Sequence, residues 1–211
     1  PSSTNIAKLQ QRYDADARVH IVPSAVAETT GSATLFANAP GSGLGSLTKR
    51  KLDHFGIEMS HEQAIDTLRF EDYWIGHLQR RRIDLVKIDI EGHELSALKG
   101  FGNALDATSV VQFEFGGCNI DTRTYFQDFW YFFQERGFDL FRIAPLGLEP
   151  IPRYRESDEF FSTTNYVARN RRQRHSACAV RGAPARRDLT IRSRRASSTR
   201  PTRDTHRSGC A

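Results

Sequence analysis

The sequence predicts an α/β fold: a mostly parallel sheet with helices on both faces, ending in a disordered C-terminal tail. Three observations carry that expectation. Stretches of strand and helix character alternate along most of the chain, which is the pattern of a sheet covered by helices. The run Ile83-Asp84-Leu85-Val86-Lys87-Ile88-Asp89-Ile90 is too short for most helices and sufficiently β-branched for a buried parallel strand. After Asn170 neither period persists, and the chain becomes rich in Arg, Ser, Thr and Ala. With 211 residues, the chain accommodates one domain plus that tail.

Taken in order, residues 4–13 read as a short helix with Ile6 and Leu9 on one side and Asn5 as its cap, followed by a strand at 19–22. Gly31 separates Ala25-Val26-Ala27 from Ala33-Thr34-Leu35-Phe36, a pattern resembling a hairpin, and residues 39–48 form a glycine and serine loop. A strand at 64–70 leads to Glu71-Asp72, acids suited to the positive end of a helix that ends near Arg80 to Arg82. The strand at 83–90 closes on Glu91-Gly92. A helix at 93–98, a strand at 110–115, a helix at 125–136 and strands at 138–143 and 166–168 complete the alternation. Phe126, Phe129, Trp130, Phe132 and Phe133 fall at helical spacing and read as core.

Charge is distributed unevenly. Residues 169–211 hold 13 Arg and 2 Asp, or +11, which leaves 17 basic and 23 acidic residues, or −6, in residues 1–168. The pI near 9.3 and mean hydropathy of −0.54 therefore reflect the tail, not a basic folded face, and argue against a nucleic-acid partner for the domain. Three widely spaced cysteines, Cys118, Cys178 and Cys210, give neither a disulfide framework nor a thiolate zinc site, so a reducing, cytoplasmic setting is the expectation. No apolar run reaches the roughly 18 residues of a membrane span.

In an open α/β sheet, ligands sit beyond the carboxyl ends of the strands, which directs attention to Asp89, Glu91 and His93. If extended structure persists, the three share one side and converge on one space. They would then hold a cationic or hydroxylic ligand, or act as base toward a substrate hydroxyl. The competing reading has Glu91 capping the following helix, Glu94 facing solvent and Asp89 pairing with Lys87 or an arginine. Glu114 alternates against Phe113 and Phe115 and so points to polar surroundings, with substrate among the candidates. Asn119, in Gly116-Gly117-Cys118-Asn119 after that strand, is a further candidate ligand, whereas Cys118 reads as a small buried residue. Ser46 lies in the Gly41–Ser46 stretch, which is either a substrate loop or a connection.

The segment 83–101, IDLVKIDIEGHELSALKGF, closely resembles the FkbM methyltransferase signature, in which Lys-Ile-Asp precedes Glu-Gly, a further Glu and Leu-Lys-Gly. Pro23-Ser24-Ala25-Val26-Ala27, Ser46-Leu47, Thr67 through Asp72, Gln112-Phe113-Glu114-Phe115 and Thr164-Asn165-Tyr166 extend the resemblance across most of residues 1–168. It implies a Rossmann-like class I methyltransferase sheet with S-adenosylmethionine across its strand ends and methyl transfer to a hydroxyl of a small-molecule or glycan acceptor. On the same analogy Ser24 and Ala25 border the adenine, and Asp89 stands at the sulfonium and acceptor end, orienting or deprotonating the acceptor oxygen.

A full member of that family would begin with a strand, a glycine-rich turn and a second strand ending in an acid; none of these is in the sequence, so an N-terminally truncated domain with an unpaired sheet edge is expected. Residues 169–211 stand apart as a low-complexity tail. The alternative function is a truncated, non-catalytic interaction module. A metal-dependent hydrolase using Asp89, Glu91 and His93 ranks last, because no further His or Cys stands at ligand spacing.

Overall fold

The strands divide between two sheets. The structure, a computed structural model, describes residues 1–173. Helix α1 (Ser3–Tyr13) leads into β1 (Ser24–Ala27), β2 (Gly31–Ala37) and β3 (His61–Arg69), which form a three-stranded sheet in the order β1-β3-β2. Helix α2 (Phe70–Gly76) then leads to β4 (Ile83–Ile88), α3 (Glu94–Gly100), β5 (Thr108–Phe115), α4 (Cys118–Thr122), α5 (Phe126–Glu135), β6 (Phe138–Ala144), β7 (Gly147–Pro150) and β8 (Thr164–Asn170). These strands form a five-stranded sheet in the order β4-β5-β8-β6-β7.

The architecture is α/β, but the sheets are mixed, which corrects the expectation of a mostly parallel sheet. Parallel pairing joins β4 to β5 and β1 to β3; β8 runs against both β5 and β6, and β7 runs against β6. The reason is connectivity: β6 and β7 form a tight hairpin, and β8 inserts between β5 and β6 in the opposite sense. A short strand such as β8 carries no residue pattern that states its direction.

The hairpin expected around Gly31 is also corrected. Strands β1 and β2 do not pair with each other; β3 lies between them, so that Ile65 packs with Ala25 and Leu35 in a small apolar cluster. No strand forms at 19–22, where Val19 and Val22 are 37% and 38% exposed: among the described residues no neighbouring strand completes their hydrogen bonding. Helix α2 ends at Gly76, short of Arg80, and the next turn places Gln79 and Arg80 at positive φ. The N-cap of α1 is Ser2, not Asn5. Regular structure continues past residue 168 to Asn170, whose buried side chain donates to the carbonyls of Leu105, Asp106 and Thr108. The expected disorder of the tail from residue 174 onward lies outside the described residues.

The main core sits on the five-stranded sheet. Phe113, Phe115, Phe126, Phe129, Phe133, Phe138 and Tyr166 are fully buried and stack on one another, with Phe113 4.9 Å from Phe129 and 5.6 Å from Tyr166 between ring centroids. Helix α3 links the two sheets. At Gly100 a Cβ would meet the carbonyl oxygen of Ala27 at 2.0 Å, so only glycine lets this helix lie against β1. Strand β4 is an edge of its sheet among the described residues, and Leu85 there is 60% exposed.

Candidate functional site

Between the two sheets, at the carboxyl end of β4, lies a cavity of about 620 Å³. Its apolar part is lined by Val26, Leu35, Leu78, Ile83, Val86 and Phe101, and its polar end by Lys87, Asp89, Glu91 and His93. Ser24 and Ala25 from β1 line it as well, as do Ser42, Gly43, Gly45 and Ser46 from the glycine and serine loop. Lys87, near the end of β4, and Asp89, just beyond it, pair at 2.8 Å while remaining 53% and 38% exposed. An ion pair this exposed contributes only about 0–1 kcal/mol, so Asp89 can exchange its partner for a ligand at small cost.

Extended structure ends at Ile88, so strand alternation does not align the three candidate groups, although Asp89, Glu91 and His93 all line the cavity. Glu91 adopts φ 58° and Gly92 φ 99°, turning the chain sharply after Ile90. A Cβ at Gly92 would meet the carbonyl oxygen of Cys118 at 2.8 Å, so the turn requires glycine for its close packing as well as for its φ. The Glu91 carboxylate is bound by Arg50, and burial, opposed by that arginine and reinforced by Asp89, raises its pKa above the ordinary glutamate range. The His93 ring is 2.9 Å from the Thr48 hydroxyl, and burial lowers its pKa, favouring the neutral imidazole. Among the three carboxyl-end candidates, Asp89 therefore has the group most open to the cavity.

Glu94 faces inward, not toward solvent. It is fully buried, and its Oε1 accepts the backbone N–H groups of Ile90 at 2.9 Å and Gly92 at 3.2 Å, bracing the turn from below. Burial raises its pKa. Ser46 is also buried, and its hydroxyl donates to the Glu91 carbonyl at 2.8 Å.

Two candidate substrate residues are not brought into the cavity. Glu114, on β5, is absent from the cavity lining, and its pKa is raised by partial burial and by the field of Asp89, Glu91 and Glu94. Asn119 is completely buried, and its Oδ1 accepts the Gly116 N–H at 2.9 Å, closing the turn before α4. Cys118 is a free, buried thiol with its pKa pushed up to about 12 by burial, far from the range of a nucleophile.

Sequence reasoning missed Arg50, Thr48 and Asp121. Arg50 sits in Lys49-Arg50-Lys51, a triplet whose spacing does not set its middle residue apart, and Asp121 lies far away in sequence on α4. Only the tertiary structure joins them. Among the described residues no helix is long and apolar enough to cross a membrane, and no group of three or more His, Cys, Asp or Glu side chains could hold a metal ion.

Comparison with known proteins matches the chain to one family model. No curated protein and no solved structure matches the chain. The Methyltransferase FkbM domain matches residues 5–140, a stretch that contains β1 to β5, most of the cavity lining and the Asp89 turn. Together with the signature at 83–101, that match shows that the chain belongs to the FkbM methyltransferase family.

Proposed function

We propose that the chain is an S-adenosylmethionine-dependent methyltransferase of the class I, Rossmann-like type that methylates a hydroxyl on a small-molecule or glycan acceptor. The observation that carries this reading is the cavity at the end of β4, whose long apolar part runs into the accessible Lys87–Asp89 pair. Its volume is in the range of about 300–1,000 Å³ that suits a ligand of nucleoside-cofactor size. The lining fits the group chemically. Val26, Leu78 and Phe101 suit a purine, Ser24 and Ala25 offer a strand-end backbone for its edge, and Asp89 offers a negative charge for a sulfonium.

When bound, S-adenosylmethionine supplies an electrophilic methyl group. The chain's own residues do the rest. Asp89 orients the acceptor hydroxyl and takes up its proton as the oxygen becomes a nucleophile. Neutral His93 and the Glu91 carboxylate, each held by a partner, shape the polar wall. Ser46 secures that wall by hydrogen bonding to the Glu91 carbonyl, and Glu114 extends the acidic field toward the acceptor side.

Calorimetric titration of S-adenosylhomocysteine into the full chain tests this reading. Saturable binding that is weakened by Phe101→Ala is expected; the absence of binding would refute it. One observation favours the second reading, a non-catalytic interaction module: among the described residues β4 is an edge strand that bears an exposed Leu85, the kind of edge to which a partner strand can be added. On that reading a partner protects the β4 amides and the cofactor analogue does not bind.

A further inference from the structure

The segment after the glycine and serine loop is fastened to the Asp89 turn at several points. Ser46 exchanges two backbone hydrogen bonds with Phe36, at 2.8 and 2.9 Å, so the segment begins as an extension of the three-stranded sheet. From there Ser46 donates to the Glu91 carbonyl, Thr48 bonds to His93, and the backbone N–H of Lys51 donates to Asp121 Oδ1 at 3.3 Å. Arg50 lies at the centre. Its Nη1 binds Glu91 and its Nε binds Asp121 Oδ2 at 3.3 Å, with the arginine side chain 10% exposed and the two acids 20% and 16%. The basic residue nearest by, Lys49, pairs with Glu62 in the open, both side chains more than half exposed.

This arrangement has a specific chemical demand. Glu91 follows β4, and Asp121 belongs to α4 beyond β5, so the cation must reach two acids on separate elements from one side chain. A guanidinium presents donors in a planar fork and does this; a lysine ammonium is a single point of charge. Glu91 also occupies a left-handed backbone conformation that a non-glycine residue holds only when surrounding contacts enforce it. Arg50 on its carboxylate and Ser46 on its carbonyl supply that enforcement.

We propose that Arg50 is a positioning residue for the cavity: it locks segment 42–51 onto the 89–92 turn, so that the loop wall and the Asp89 carboxylate keep one fixed relation. The inference deepens the methyltransferase reading and rests on it for the ligand. Loop residues Ser42, Gly43, Gly45, Ser46 and Leu47 line the same cavity as Asp89, so a loosened segment lets that wall drift from the ligand.

Hydrogen exchange on the full chain, with Arg50→Ala and Arg50→Lys, reads the lock directly. The expected result is exchange about tenfold faster at Ser46, Thr48, Lys51 and Gly92 in Arg50→Ala, with Arg50→Lys in between and the β5 and β8 amides unchanged. Unchanged exchange in 42–51 overturns the proposal. So does a uniform rise that includes β5 and β8 in both variants, because Arg50 would then be a general stabiliser. Should Arg50→Ala fail to fold, Arg50→Lys decides. Titration with S-adenosylhomocysteine supplies the second readout: Arg50→Lys is expected to bind about tenfold more weakly than the wild type, and equal binding overturns the positioning role. If the wild type binds none, the methyltransferase reading fails, and the exchange pattern alone decides whether Arg50 holds the segment.

Discussion

Two regions of the molecule, the one around β5, β6 and β8 and the one around β4 and the three-stranded sheet, differ sharply in how they are filled. Around β5, β6 and β8, helix α5 seals a continuous aromatic core in which Phe113, Phe129, Phe133 and Tyr166 have no exposure. Around β4 and the three-stranded sheet, the second apolar cluster comprises only Ala25, Leu35 and Ile65, and Val19, Val22 and Leu85 remain exposed. The difference separates two tasks. The aromatic side carries stability through close packing, and the β4 side leaves apolar surface available to a ligand while hydrogen bonds and ion pairs, together with the close approach at Gly92, define its turn.

The contrast predicts a graded set of responses. The largest belongs to Phe113→Ala, which removes a ring contacting Phe129, Phe133 and Tyr166 and is expected to cost about 3–5 kcal/mol in denaturant unfolding. Next is Glu94→Ala, which leaves the Ile90 and Gly92 N–H groups without their acceptor and is expected to cost about 3 kcal/mol. Glu94→Gln keeps an acceptor and removes the titration. Because burial raises the folded pKa of Glu94 above its ordinary value near 4.5, the wild type is favoured below that value and loses stability as pH rises through the raised one. Unfolding measured across that range should therefore show Glu94→Gln gaining on the wild type with increasing pH; a constant difference would contradict the assignment.

Smaller effects are expected at the cavity. Asp89→Asn should change unfolding free energy by less than about 0.5 kcal/mol, since its ion pair is exposed. The same change should weaken S-adenosylmethionine about fivefold more than neutral S-adenosylhomocysteine, through loss of one charge facing the sulfonium. Parallel titrations of the two ligands measure that ratio, and a ratio of one would remove Asp89 from the sulfonium end. Leu85→Ala, on the open edge, should alter stability least, within about 0.5 kcal/mol by thermal melting.

The parts legible in sequence are those with strong local signals. The β-branched run at 83–90 marks the strand β4 but not its burial, since β4 is an edge among the described residues with only Ile88 buried, whereas the spacing of Phe126, Phe129, Phe132 and Phe133 marks α5, because burial on one side of a helix leaves a period. Strand direction left no such mark, so β8 running against its neighbours and β3 lying between β1 and β2 became visible only in the fold. At the site, Asp89 was legible from its place at a strand end. Continued extended structure would make Glu91 and His93 equal to Asp89; the positive φ at Glu91 ends it, and the two line the cavity already held by Arg50 and Thr48. The chemistry of Asn119 suits a ligand, but its Oδ1 closes a buried turn. Arg50 and Asp121, 71 residues apart, meet only through tertiary packing.

The central claim is that the cavity between β1 and β4 receives S-adenosylmethionine with its sulfonium end at Asp89. A crystal structure of the full chain with S-adenosylhomocysteine tests it most directly. The expected structure holds the purine among Val26, Leu78 and Phe101, the thioether end beside Asp89, and segment 42–51 still fastened by Arg50. Ligand bound elsewhere, or a cavity that stays empty at saturating ligand while a strand of another molecule covers β4, would contradict it.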